Sequence, residues 1–232
     1  MRGPEGDLGP TVRQAATALD LVIPASFAAH AATYLDELER WQRIGGLTGY
    51  RDRGARTRHL LLESLMLLSV VPVRASPLLD IGSGPGVPGL ILKLARPEWE
   101  VVLIEAARRP ANFLRHVIRH LGLEGVIVHW ARAEALASGS LAGRFQTVTM
   151  RAVASGEAAH RLAMPFLTPN GALVRPVGPR EAPSGESMRV VTLNVPGELP
   201  WRRQFLIIRR TELARGRFTW NTRDSGAESS RS

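Results

Sequence analysis

The segment Asp80-Ile-Gly-Ser-Gly-Pro-Gly-Val-Pro-Gly89 limits what this chain can fold into more than any other. Gly82, Gly84, Gly86 and Gly89, with Pro85 and Pro88, stand between an apolar run ending at Ile81 and a helical pattern starting at Pro88. A strand–loop–helix joint of this kind brings backbone amides close to a ligand, because glycine has no Cβ to hold it away. Gly84, Gly86 and Gly89 fit G-x-G-x-x-G, a spacing that by itself suits a dinucleotide equally well.

The surrounding pattern supplies a fold. Apolar runs at Leu78–Ile81, Val101–Glu105, Gly125–Trp130, Phe145–Met150 and Gly171–Val177 alternate with helical patterns at Pro88–Ala95, Pro110–Leu121, Ala133–Ala137 and Gly156–Phe166. This alternation predicts βαβ units and a parallel sheet. Arg189–Val195 and Gln204–Arg209 are strand-like with only Pro196-Gly197 as a turn signal, so they should pair antiparallel at the sheet's end. Residues 11–72 read as a helical extension, with a first helix ending near Pro24. A second carries Phe27, Ala31, Tyr34, Leu38 and Trp41 on one face, and Leu60, Leu61, Leu65 and Leu68 suggest a third. Residues 73–212 form the sheet domain, and the Ser-, Gly- and charge-rich stretch 222–232 is expected to be a disordered tail.

Three features favour S-adenosyl-L-methionine over a dinucleotide. Asp80 would complement an ammonium directly or through water, and would repel a pyrophosphate. Pro85 and Pro88 stiffen the loop, and the antiparallel end strands belong to class I methyltransferases. The expected architecture is therefore α/β: a Rossmann-like, mostly parallel seven-stranded sheet with an antiparallel last strand, plus the helical extension. Gly82, Gly84 and Gly86 would cradle the cofactor. Glu105, ending the second strand, suits a pair of ribose hydroxyls, or is a solvated strand end. Glu134 stands where adenine would lie, or is a helix N-terminal acid. Arg151, after the fourth strand, occupies the edge where open α/β sheets bind ligands, or forms a salt bridge.

Composition narrows the rest. The chain has no cysteine, which excludes disulfides, cysteine-ligated metals and cysteine nucleophiles. Pyrimidine C5 methylation, which usually needs that nucleophile, is disfavoured. So is amino-group methylation, since Met150-Arg-Ala-Val replaces an Asn/Asp-Pro-Pro-Tyr segment. Among six histidines only His116 and His120 share helical spacing, without a third ligand in view, so no metal is expected. The start lacks a signal-peptide run, and Leu60–Val73 is interrupted and too short to span a bilayer, so a cytoplasmic protein without membrane contact is expected. The net charge is +9, and Lys93 is the only lysine. A GC-rich coding sequence accounts for arginine over lysine but not for the excess of base over acid. That excess favours a nucleic-acid partner.

Together these residues resemble the bacterial small-subunit rRNA guanine-N7 methyltransferase family, RsmG, also called GidB. The resemblance covers residues 25–210 and rests on Trp41-Gln, Gly46-Leu47-Thr48, Arg51-Asp52, Glu63-Ser64, the loop 80–89, Glu105, Arg132-Ala-Glu134 and Met150-Arg151-Ala152. It implies methyl transfer to N7 of a guanine in the decoding-region loop of 16S rRNA. By motif position it places cofactor contacts on Gly82, Val87, Ala133, Glu134 and Arg151. The chain departs from the family pattern at Gln42 and Gly46, at His59, at Gln146, and at Val177-Gly178 where the family has Lys-Gly. Alternatives are a class I methyltransferase with another RNA or small-molecule substrate, and a ribosome-assembly factor without catalysis.

N7 of guanine has a free lone pair, so no general base is needed and no catalytic side chain is expected. Alignment of the reacting atoms suffices. RNA contact is expected from Arg51, Arg53, Arg56 and Arg58, with Arg175 and Arg180 nearby in the fifth-strand region, since arginine bonds phosphate bidentately and stacks on bases. Further arginines cluster at 108–119 and 202–210, and any such cluster is otherwise a solvated surface. The partner would be 16S rRNA or the small ribosomal subunit, and the protein a monomer.

Overall fold

In a computed structural model, residues 7–154, 156–178, 181–184, 188–196, 201–210 and 219–222 are described. β1 (Leu78–Ile81), β2 (Val101–Glu105), β3 (Val126–Trp130), β4 (Phe145–Met150) and β5 (Leu167–Pro176) pair in parallel. β8 (Trp201–Arg209) lies antiparallel to β5, and β7 (Met188–Val195) pairs with β8 at the edge. The order is β3-β2-β1-β4-β5-β8-β7. The chain winds outward from β1 through β2 to β3, then returns to β4 on β1's other side. The crevice at the carboxyl ends of β1 and β4 is therefore the switch point where such sheets bind ligands.

Both faces of the sheet are covered, so its strands are apolar throughout yet still alternate. Leu78, Val101 and Leu103 pack on one face with α1 (Leu8–Ala18), α2 (Phe27–Ile44), α5 (Gly89–Ala95) and α6 (Arg108–His120). Leu79, Ile81, Val102 and Ile104 pack on the other with Ala159 and Ala163 of α7 (Gly156–Ala163). The helical extension joins the first cluster: Phe27, Tyr34, Leu38, Leu61 and Leu65 are buried with Leu90 and Phe113. Its third helix is a run of α3 (Arg53–Arg56), a π-helical turn (Thr57–Leu62) and α4 (Glu63–Leu68). Asp52 caps this run, its side chain accepting from Ala55 N at 2.7 Å.

Several boundaries differ from the sequence reading. α1 starts at Leu8 under an Asp7 cap and stops at Ala18, short of Pro24, and Asp20 adopts a left-handed φ of 52° just beyond. β5 begins at Leu167, four residues early, because Leu167 pairs with Phe145 before a register shift re-aligns Ala172 with Thr147. The pattern at 133–137 is a single 3-10 turn, Ala133–Leu136. A two-stranded sheet of β6 (Glu181–Ser184) and β9 (Thr219–Thr222) was not expected. The expected tail lies outside the described residues from 223 onward. No described helix is long and apolar enough to cross a membrane.

Candidate functional site

The glycine loop is built around Asp80. Its side chain is fully buried; Oδ2 accepts from Gly89 N at 3.1 Å and Oδ1 from Thr149 Oγ1 at 2.9 Å. Burial pushes this carboxyl up to about 6, and the bonds from Thr149 and Gly89 offset only part of that. Asp80 thus supports the loop from beneath and joins β1, β4 and the start of α5. Of the two expected ways for this carboxylate to complement a ligand ammonium, directly or through water, its enclosure disfavours the direct one.

The glycines divide into two kinds. A Cβ on Gly86 would lie 2.8 Å from Leu90 Cβ, and one on Gly89 would lie 2.6 Å from Leu103 Cδ2 and 2.7 Å from Asp80 Cβ. At these two positions the side where a Cβ would stand is filled by packing under the loop. A Cβ on Gly84 would meet only Gly82 O, at 4.0 Å, so Gly84 borders open space with φ +53°. Gly82 is covered by Val153, whose Cγ2 would stand 2.2 Å from a Cβ there. Val87 is buried with 3% exposure.

Glu105 sits opposite Gly84. Its Oε2 accepts from Gly84 N at 2.8 Å and its Oε1 from Ala107 N at 2.7 Å. Each carboxylate oxygen keeps a lone pair, so a diol still finds two acceptors. Ala133, buried, and Glu134, exposed, open the 3-10 turn after β3. The first N–H groups of such a turn lack acceptors within it. Open space over Gly84 beside a two-oxygen acceptor fits the nucleoside part of S-adenosylmethionine.

Arg151 lies across the switch point. It donates to His59 O at 2.7 Å and stands 4.0 Å from Glu63 Oε1. It lines a cavity of about 820 Å³ with Pro85, Met150–Ala154, Thr48–Tyr50, Glu63, Glu181 and Arg203. The sequence reading missed how the wall from 47 to 50 is made. Gln42 Oε1 accepts from Leu47 N at 2.7 Å and Thr48 N at 3.1 Å, while its Nε2 donates to Thr48 O at 2.7 Å. The departure at Gln42 therefore retains an amide that pins this segment.

The same wall holds an aromatic stack. Tyr50 lies parallel to His59 with centroids 4.1 Å apart, and Trp201 meets His59 edge-on at 4.5 Å. Burial lowers the His59 pKa; Glu63 opposes this, and Arg203, Arg58 and Arg151 reinforce it. His59 is thus a neutral ring at neutral pH. His59, where the chain departs from the family pattern, is a packing element beside the cavity.

The expected RNA-contacting arginines separate. Arg51 is exposed. Arg53 pairs with Asp36 at 2.6 Å, and Arg58 stands 5.8 Å from the Trp201 ring. Arg56 is buried at 5% exposure and donates to Tyr50 O and Arg51 O, so it shapes the loop instead of meeting a phosphate. Arg175 is also buried, at 3%, in a two-pronged pair with Glu181 at 2.7 and 2.8 Å, a second correction. Arg180 lies outside the described residues. His116 and His120 face Glu37, at 2.8 and 3.8 Å, and no metal-holding group is found among the described residues.

Comparison with known proteins agrees with this geometry. The GidB family profile, described as rRNA small subunit methyltransferase G, matches residues 28–182. The ribosomal RNA small subunit methyltransferase G of Chloroflexus aggregans is 44% identical over 147 residues, 62% of this chain and 61% of that protein. Its counterpart in Xanthomonas axonopodis pv. citri is 36% identical over 196 residues, covering 81% of this chain and 89% of the relative. Among solved structures, cofactor-bound Rv0187 from MTB superposes with a TM-score of 0.56 at 16% identity, over 90% of this chain and 99% of that one, which shows a shared fold. The chain belongs to the GidB family of rRNA small subunit methyltransferases.

Proposed function

We propose that the protein transfers the methyl group of S-adenosyl-L-methionine to N7 of a guanine in the decoding-region loop of 16S rRNA. The observation that carries this reading is the cavity of about 820 Å³ at the switch point, which runs from Pro85 of the glycine loop to the N-terminal wall at Thr48–Tyr50. It is wide enough for a flipped-out base. Family membership supports the rRNA substrate, and the net charge of +9 supports a polyanion.

Gly82, Gly84, Glu105, Ala133, Glu134 and Arg151 hold the donor, with Asp80, Gly86 and Val87 shaping the loop that presents it. When bound, S-adenosylmethionine supplies an electrophilic methyl carbon. The acceptor would be the N7 lone pair, and the positive charge would pass from the donor to the base. No proton moves, so the protein's task is alignment and exclusion of water. Arg51 and Arg58 contact the RNA backbone. The protein acts on 16S rRNA or the small subunit as a cytoplasmic monomer without a metal.

Reverse-transcription mapping of N7-methylguanine in 16S rRNA, from cells with and without the gene, tests this reading. Borohydride reduction and aniline cleavage turn an N7-methylguanine into a strand break, and loss of one decoding-loop stop after that treatment is expected in the deletion strain. An unchanged pattern would refute it.

A further inference from the structure

Two carboxylates line the cavity, and their bonding differs. Glu181 Oε1 accepts from Gly156 N at 2.7 Å and Arg175 Nη2 at 2.8 Å; its Oε2 accepts from Arg175 Nη1 at 2.7 Å and Gly178 N at 2.8 Å. Its acceptor capacity is used. Glu63 is as deeply placed, with 3% exposure, yet only its Oε2 is bonded, to Arg203 Nε at 2.8 Å. Oε1 lies 4.0 Å from Arg151 Nη1, beyond hydrogen-bond reach, and among the described residues no donor meets it. Glu63 lines the cavity, so this oxygen can accept from a group that enters there.

Tyr50 shares the lining with Glu63. Its ring is backed by His59 at an interplanar angle of 7°, and His59 is in turn braced by Trp201. The guanidinium of Arg203, the partner of Glu63, lies 4.9 Å over the same Trp201 ring. The carboxylate and the aromatic stack are thus held by one set of contacts.

We propose that Glu63 and Tyr50 form the receptor that selects guanine as the target base. Guanine presents two adjacent donors, N1–H and N2–H₂, on its Watson–Crick edge, and the other three bases present none side by side. A carboxylate matches such a pair bidentately. Oε1 is free, and Oε2 keeps a lone pair beside its bond to Arg203. Tyr50 supplies the flat apolar surface on which an extruded base stacks. The edge read by Glu63 lies opposite N7, which leaves N7 clear for the methyl carbon. The charge that arrives on the base at transfer then has a carboxylate beside it, while Arg151 and Arg203 are tied back to His59 O and Glu63.

This inference rests on the guanine-N7 reading, and one experiment separates the two. Full-length protein is assayed for kcat/KM on decoding-loop RNA carrying guanine or inosine at the target; inosine keeps N7 and N1–H but lacks the N2 amine. Wild-type protein is expected to favour guanine by roughly 10- to 100-fold, the worth of one hydrogen bond to a charged group. Glu63→Gln, whose amide presents one acceptor only, should bring that ratio towards one without changing S-adenosylmethionine affinity. Tyr50→Ala should raise KM for the RNA, with Tyr50→Phe restoring it. Equal wild-type rates on guanine and inosine overturn the proposal, as does a Glu63→Gln loss of the same size on both. Absence of any methylation of the guanine RNA by wild-type protein overturns the N7 reading and this inference with it.

Discussion

Tyr34 in α2 donates a hydrogen bond from Oη to the Pro85 carbonyl at 3.0 Å, so the N-terminal helices hold the glycine loop directly. Tyr34 is fully buried, and that burial pushes its hydroxyl far above the ordinary range, so it remains a donor at any working pH. Removing it leaves the Pro85 carbonyl without a partner among the described residues. Tyr34→Phe is expected to destabilise the fold by about 1–3 kcal/mol. It should also weaken S-adenosylmethionine binding, because the loop tip loses its tether. Thermal unfolding with calorimetric titration checks both, and a variant with unaltered melting and affinity would show that the contact is idle.

Asp80 gives a pH dependence with a definite sign. Its carboxyl is raised from 3.8 to about 6 in the fold. The native state therefore binds more protons than the unfolded chain between those values, and stability from this group is lost as pH rises through about 6. The effect amounts to about 3 kcal/mol. Asp80→Asn removes it, while Oδ1 still accepts from Gly89 N and Nδ2 donates to Thr149 Oγ1. Urea unfolding at pH 4 and pH 7 should show the wild type losing more stability than Asp80→Asn across that interval. Parallel losses would mean that another group governs this range.

Much of the sheet could be read directly because periodicity and punctuation coincide there. β1, β2 and β4 have the boundaries expected from their apolar runs, since each strand is buried on both faces and ends at a glycine, an acid or an arginine. Glu105 was legible for the same reason: an acid closing an apolar run lies at the sheet's carboxyl edge. The lining of the cavity was not. Glu63 lies in a helix whose apolar pattern says only that it faces inward, and its partner Arg203 is 140 residues away. Arg56 and Arg175 look in sequence like every other arginine here. Only the folded chain shows that carbonyls and Glu181 already hold them. Charge clusters report local composition, and burial of a single guanidinium is decided by contacts remote in sequence.

Gly89 illustrates a glycine required by packing. A Cβ there would stand 2.6 Å from Leu103 Cδ2 and 2.9 Å from Asp80 Oδ2, and the Asp80 carboxylate cannot retreat without losing Gly89 N or Thr149. Gly89→Ala is expected to cost about 1–3 kcal/mol through forced displacement in a dense core. Gly84→Ala meets no protein atom closer than 4.0 Å, so its cost in stability is the strain of φ +53° and its larger effect falls on cofactor affinity. Melting temperatures and titrations of both variants test the contrast. If Gly89→Ala lowered only affinity and Gly84→Ala only stability, the division of the loop into packing and ligand-facing glycines would be wrong.

The first arginine cluster makes the same kind of contrast for RNA. Arg51 is exposed and its side chain forms no ion pair among the described residues, whereas Arg56 is buried on backbone carbonyls. Arg51→Ala should leave melting unchanged and weaken binding to decoding-loop RNA. One lost phosphate contact lowers the slope of log K against log salt by about 1. Arg56→Ala should do the reverse in stability: the carbonyls of Tyr50 and Arg51 lose a charged donor, at about 1–3 kcal/mol. Its effect on RNA should be independent of salt, because it acts by releasing the Tyr50 segment and not by removing a phosphate contact. Binding isotherms at several salt concentrations distinguish the two, and a reduced salt slope for Arg56→Ala would return that residue to the RNA surface.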